Sequence, residues 1–408
     1  MEKAIFATGI LYFLGHVLTH FFERSKVPDV LMLIVVGLLL GPVFGISSVE
    51  TIGSTGSVFT QFALIIILFE GGLGLELSEL IHSARQSAIL TISFFFLSVI
   101  SITLLMHFGF GYSTLASVLT GFICGGTSSA VVIPLLSMIN VSKTASAMLV
   151  MESALTDVLC IVFTIGELQS IESGAFEVGK VVGTLFSSLI VASIIGALSG
   201  MLWLRIITFI RTFGNTQFAT CFCMFVVYGI AEFFDFSGAI AVLAFGIVLG
   251  NAPVIRRHLN FLLSEKTVGI ISSAEKELYK ELAFLVKIFF FIYLGISIPF
   301  EDTAVIAISL SIVVALFALR PIASWLMVNG KTTPHDRTIV AVMLPKGLAA
   351  AVLAGLPTQY GMVEGPDIQA ITYHVVLYSI ILTSVFIPLV ERTKLGRFYD
   401  KVYTHNKK

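Results

Sequence analysis

The stretch Val150 to Ile165 reads VMESALTDVLCIVFTI, apolar enough for most of a membrane span, yet Glu152 and Asp157 stand inside it. A carboxylate placed in hydrocarbon costs about 2.5–3.5 kcal/mol on insertion scales, so an acid in such a run marks a functional position. At about 100° per residue Ser153 and Asp157, four apart, share a helix face, while Glu152 lies about 140° around from Asp157. The two acids therefore divide their work. Asp157, with the Ser153 hydroxyl above it and Thr156 beside it, faces a cavity, and Glu152 faces a protein partner. Oxygen is the ligand that hard monovalent cations prefer, and the same carboxylate can hold a proton instead. One site with two mutually exclusive occupants has the logic of exchange. The plainer alternative is that Ser153 and Thr156 only bond the carbonyl four residues back, with both acids at the water interface.

With 57% hydrophobic and 12% charged residues, the chain reads as an all-α polytopic membrane protein. The net charge of −1 is uninformative about nucleic acid, and no basic, aromatic-interleaved face supports such a partner. Cys124, Cys160, Cys221 and Cys223 all lie in apolar segments, where free thiols behave as small hydrophobes. No linker or low-complexity tract divides the chain, so residues 1–408 form a single transmembrane domain with a short tail, 392–408. The segment from Arg256 to Leu278 is a partly amphipathic cytoplasmic loop.

About thirteen spans can be drawn, at 4–22, 30–46, 57–75, 87–108, 114–138, 145–168, 178–206, 217–234, 237–250, 279–299, 303–328, 338–358 and 371–390. With the N-terminus outside, only Lys3 and Lys180 fall on outer segments, while the remaining loop cations, including those from Arg392 to Lys408, fall inside. The asymmetry places the N-terminus outside and the C-terminus in the cytoplasm of a cell-membrane protein. Lys287, Arg320 and Lys346 remain within the apolar segments, each needing a partner or water. Lys346 lies in LPKGLAAAV, where Pro345 and Gly347 break the helix; CGGTSS at 124–129 suggests a second break in the fifth span. Broken spans five and twelve imply two six-span halves, inverted about the seventh, with the transport site at the midplane.

In that order the segments resemble the monovalent cation/proton antiporters, most of all the prokaryotic sodium/proton exchangers of the NhaP type. The similarity rests on ERSKVPDVLMLIVVGLLLGP at 23–42, LFEGGLGLE at 68–76, GTSSAVVIP at 126–134, ESALTD at 152–157, FIYLGISI at 291–298 and LPKGLAAAV at 344–352. It implies a core domain with two crossed broken helices that moves against a dimer-forming scaffold. The core comprises helices at about 87–168 and 303–391, with parts of 57–75 and 279–299. Matched by position, Asp157 is the ion- and proton-binding aspartate, Ser153 and Thr127 supply oxygens to the monovalent cation, and Glu152 pairs with a cation at Lys346, for which the compatible alternative is capping the carbonyl end of a broken helix. Thr156 stands where the family usually has Asn, and Ser128 where many relatives have Asp; TSS is closer to the potassium/proton branch. Ser128, Lys287, Arg320 and Glu70 are accessory candidates: Lys287 as a second proton carrier, Arg320 as a structural cation near the cytoplasmic end, Glu70 lining a funnel.

The resulting expectation is a secondary antiporter exchanging Na+ or K+, with Li+ also admissible, for H+ by alternating access. Electrogenic relatives carry an acid at the position of Thr156, so exchange is expected to be electroneutral, one for one. No cofactor beyond the transported ions is implied, and a homodimer in membrane lipid is. The competing readings are a channel or uniporter, which needs a continuous polar pore, and a sodium-coupled solute symporter, which needs a second polar cluster. No hydrolase constellation or Walker lysine supports an enzyme.

Overall fold

The computed structural model describes residues 9–10, 12–17, 29–46, 55–74, 77–136, 139–172, 178–214, 216–234, 236–258, 271–300, 302–327 and 333–392. Among these residues the regular elements are helices. In chain order they are α1 (Asp29–Leu38), α2 (Thr55–Gly74), α3 (Leu77–Leu104), α4 (Thr114–Cys124), α5 (Ser129–Leu136), α6 (Lys143–Glu172), α7 (Val178–Ile210) and α8 (Ala219–Phe233). There follow α9 (Gly238–Gly250), α10 (Ala252–His258), α11 (Ser273–Ser297), α12 (Thr303–Met327), α13 (Pro334–Val342), α14 (Leu348–Leu353), α15 (Leu356–Gln359) and α16 (Gly365–Arg392). Turns of π-helix extend α1 through Leu39–Val43 and α3 through Leu105–Gly109.

Five stretches are long and apolar enough to cross a membrane: Thr91–Gly109, Thr144–Gln169, Ile190–Phe213, Thr303–Trp325 and Gly365–Val390. Shorter apolar helices account for most other expected spans. The span at 4–22, much of the loop at 256–278 and the tail beyond Arg392 fall wholly or largely outside the described residues. Along α7 the large apolar side chains Ile190, Ile194, Leu198 and Leu202 recur every four residues and are exposed, a stripe suited to lipid.

Both breaks read from the sequence are present. The helix stops at Cys124 and restarts at Ser129, and it stops again at Val342 and restarts at Leu348. Two successive glycines lie at the first and Pro345 with Gly347 at the second, residues that weaken a helical ladder.

The chain forms two compact units. The first takes in Met1–Gly56, Ser83–Cys160 and Ile288–Lys408 and holds both breaks. Here Asp336 joins two helix starts: it forms a capping box with Thr333 on α13 and accepts the Ser142 amide, just before α6, at 2.9 Å. Elsewhere in this unit Glu364, just before α16, accepts the amide of Ser113 at 3.0 Å as well as its hydroxyl, and Ser113 caps α4. Helices α1 and α11 touch backbone to backbone through glycines: a Cβ at Gly37 would lie 2.2 Å from the Ile292 carbonyl oxygen, and one at Gly295 would lie 2.3 Å from that of Ile34.

The second unit takes in Ser57–His82 and Ile161–Lys287. It repeats the small-residue device, with Gly72 and Gly246 meeting between α2 and α9 and Gly196 of α7 against Ala241. Polar ties in this unit include Trp203 to Thr220 at 2.9 Å and the Arg211–Glu275 ion pair.

Gly295→Ala should therefore overpack the α1–α11 crossing and cost about 1–3 kcal/mol, seen as a lower melting temperature in detergent. A parental melting temperature would contradict so close a crossing.

Candidate functional site

Helix α6 carries the acids that the sequence singles out. Glu152, Ser153 and Thr156 are buried, and Asp157 is half-buried. The Ser153 hydroxyl donates to the Val150 carbonyl at 2.9 Å, and the Thr156 hydroxyl donates to the Ser153 carbonyl at 3.1 Å. This is back-bonding of the kind the plainer alternative supposes, to the carbonyl three residues back instead of four, and it leaves the oxygen lone pairs free to accept. Thr156 uses that capacity, for its oxygen accepts the Thr127 amide at 3.0 Å, and the Thr127 and Thr156 hydroxyls stand 3.5 Å apart.

Thr127 belongs to the break between α4 and α5, so this contact fastens the unwound segment to the turn of α6 that bears Asp157. Glycine at 126 permits the approach: a Cβ there would lie 2.7 Å from the Cys160 sulfur and 3.1 Å from Thr156 Cβ. Ser128, on the other side of Thr127, donates its amide to the Pro345 carbonyl at 2.8 Å, so the two breaks meet.

The arrangement corrects one expectation. Glu152 does not pair with Lys346; its carboxylate is held by Arg320 of α12, with Nη2 2.6 Å from Oε2 and Nη1 on Oε1. Arg320 also donates from Nε to the Val340 carbonyl at 3.0 Å, and its guanidinium lies 4.4 Å from the Phe94 ring centroid. The physical reason is shape, since a planar fork matches both oxygens of a carboxylate and stacks on a ring, whereas an ammonium is a compact point charge.

Lys346 has other work. Its Nζ donates to the Gly126 carbonyl at 2.7 Å and lies 3.5 Å from that of Gly125, the acceptors left open where α4 ends. A cation at a helix C-terminus is also favoured by the helix dipole, by about 0.3–1 kcal/mol and up to about 2 when partly buried. The Lys346 amide donates to Ser379 Oγ of α16 at 2.9 Å, a partner that nothing in the sequence distinguished from the other serines.

The first unit thus brings together Thr127, Ser128, Glu152, Ser153, Thr156, Asp157, Arg320 and Lys346. Glu70 and Lys287 belong to the second unit, where the charges of Lys280 and Lys287 act on Glu70 and the Lys287 ammonium lies 5.4 Å from the Phe284 ring. Sequence reasoning also passed over Glu167, which is buried in α6 with Oε2 lacking a hydrogen-bond partner among the described residues.

A family model described as the transmembrane sodium/hydrogen exchanger matches residues 9–392. The chain belongs to that family. Among its relatives, a probable Na+/H+ antiporter 2 of Methanocaldococcus jannaschii is 23% identical over 368 residues, covering 85% of this chain and 83% of that one. A K+/H+ antiporter NhaP2 of Shewanella baltica is 24% identical over 373 residues, covering 88% of this chain and 61% of the relative. The solved structure of the sodium proton antiporter MjNhaP1 from M. jannaschii superposes with a TM-score of 0.76 at 21% identity, over 94% of this chain and 99% of that one. That likeness shows a shared fold. The NhaP-type resemblance read from the motifs is borne out, and the exchanger family together with the apolar helices makes this a multi-pass membrane protein.

Glu152→Gln or Arg320→Met leaves one charge buried alone, and each should cost about 3–5 kcal/mol of stability. Thermal unfolding of the singles and of Glu152→Gln/Arg320→Met, which removes both charges, checks it. A double variant whose loss equals the sum of the two single losses would mean that the two residues are not coupled.

Proposed function

We propose that this protein is a secondary antiporter, not an enzyme, exchanging a monovalent cation for a proton at Asp157. The observation that carries the reading is the separation of the two acids on α6. Glu152 is neutralised in place by Arg320, while Asp157, one turn on from Ser153 and next to Thr156, stands half-buried beside the meeting point of the breaks. Ser153, Thr127 and Thr156 offer hydroxyl oxygens to a cation that replaces the proton. Na+ and K+ both suit such a site, in keeping with the Na+/H+ and K+/H+ antiporters among the relatives, and Li+ is admissible on the same chemistry.

Alternating access of one such site implies the rest of the arrangement. We read thirteen spans in two inverted six-helix halves, with the N-terminus outside and the C-terminus cytoplasmic in the cell membrane. The core of 87–168 and 303–391, with parts of 57–75 and 279–299, would move against a scaffold that forms a homodimer.

Purified protein in proteoliposomes, with Na+, K+ and Li+ added in turn and proton flux followed by dye quench, tests the reading. Asp157→Asn should abolish the flux while leaving the protein folded, and flux persisting in that variant would remove the core of the proposal. Because a proton and a cation compete for one carboxylate, the half-saturating cation concentration should rise as pH falls, by about tenfold per pH unit on the acid limb. A flat response would contradict a shared site.

Thr156 cannot ionise in the accessible pH range, so one bound cation displaces one proton and exchange is electroneutral. An unbalanced charge is worth about 2.3 kcal/mol per 100 mV. A valinomycin-clamped potential with Na+ as the driven ion should leave the exchange equilibrium unmoved. A Na+ gradient that follows voltage would refute one-for-one exchange and direct attention to Lys287, where Lys287→Gln should then restore voltage independence.

A further inference from the structure

At the meeting of the two breaks, a Cβ built on Gly347 would lie 1.9 Å from Ser128 Oγ and 2.3 Å from Ser128 Cβ. Turning Ser128 about χ1 moves the hydroxyl but leaves Cβ where the backbone holds it. The Gly347 φ of −158° lies outside the left-handed region that favours glycine, and the observed ground for glycine there is the space that Ser128 fills.

Neither strand can retreat cheaply. Residues 345–347 are held by the Pro345 carbonyl on the Ser128 amide at 2.8 Å, by the Lys346 amide on Ser379 at 2.9 Å, and by Lys346 Nζ on the Gly126 carbonyl at 2.7 Å. On the other strand, Thr127 is held to Thr156 at 3.0 Å, and Gly126 lies against Cys160 and Thr156. A push on Ser128 therefore passes to Thr127 and, through Thr156, to the turn of α6 that carries Asp157.

We infer that Ser128 and Gly347 form a steric pin that sets how closely the two breaks cross and, through Thr127, positions the cation pocket at Asp157. The inference rests on the exchange reading of Asp157 and assigns Ser128 the part of a positioning residue, acting by its size. It makes a specific demand. With the Ser128 side chain removed, the nearest of the three contacts to a Cβ at position 347 becomes Ser128 Cα at 3.6 Å, an ordinary van der Waals distance. Ser128→Gly should consequently accommodate the methyl group that Gly347→Ala introduces.

The test compares the parent, Gly347→Ala, Ser128→Gly and Ser128→Gly/Gly347→Ala in proteoliposomes. Half-saturating cation concentration and maximal rate are measured separately, with melting temperature in detergent alongside. Gly347→Ala should raise the half-saturating concentration above the parental value. The double variant should return it to the value of Ser128→Gly alone. If Gly347→Ala yields no folded protein, the double variant should regain both folded protein and flux with that same half-saturation. A double variant no better than Gly347→Ala overturns the pin, as does a Gly347→Ala protein that loses yield or maximal rate while keeping parental half-saturation. A parent without cation-driven proton flux overturns the exchange reading instead. The pin is then tested by melting alone: a double variant more stable than Gly347→Ala upholds the steric contact, and one no more stable overturns it.

Discussion

Backbone that leaves the helical ladder inside hydrocarbon must find its hydrogen bonds within the protein, because no water is at hand to satisfy it. The first unit meets this demand by bringing its two interruptions together. The Ser128 amide goes to the Pro345 carbonyl, the Lys346 amide to Ser379, and the open Gly125 and Gly126 carbonyls face the Lys346 ammonium. Each break is thus largely the other's solvent. The same contacts put Thr127 against α6 at the level of Asp157, so backbone satisfaction and site construction share one set of interactions.

Two buried cations divide the electrostatic work by their shapes. The Arg320 fork takes both oxygens of Glu152, one carbonyl and an aromatic face; the Lys346 point charge takes carbonyls at a helix end. Glu152 is engaged in this way, and Asp157 on the same helix is half-buried.

Close packing gives this polar centre its tolerances. Glycines let backbones touch at Gly37–Gly295 in the first unit and at Gly72–Gly246 in the second, and at Gly126 and Gly347 the missing Cβ is the space in which Cys160, Thr156 and Ser128 sit. In a membrane, where apolar burial does not drive helices together, such approaches and interhelical hydrogen bonds carry much of the specificity. The Asp336 and Glu364 caps add ties between helix starts within the first unit.

Local signals were legible in the sequence because their causes are local. Gly125-Gly126 and Pro345 with Gly347 weaken a helix locally, although the pair Gly71-Gly72 lies inside the continuous α2; four-residue spacing puts Ser153 and Asp157 on one face, and an acid in an apolar run needs a special environment wherever it lands. The ordered motifs carried the family in the same way. Pairing between distant segments was decided only in the tertiary structure. Glu152 and Arg320 are 168 positions apart, and the sequence states that each buried charge needs a partner without stating which of Arg320 and Lys346 meets which acceptor. That choice follows from where α12 and the second break place a planar fork and a point charge in three dimensions, a consequence of packing that no single segment encodes.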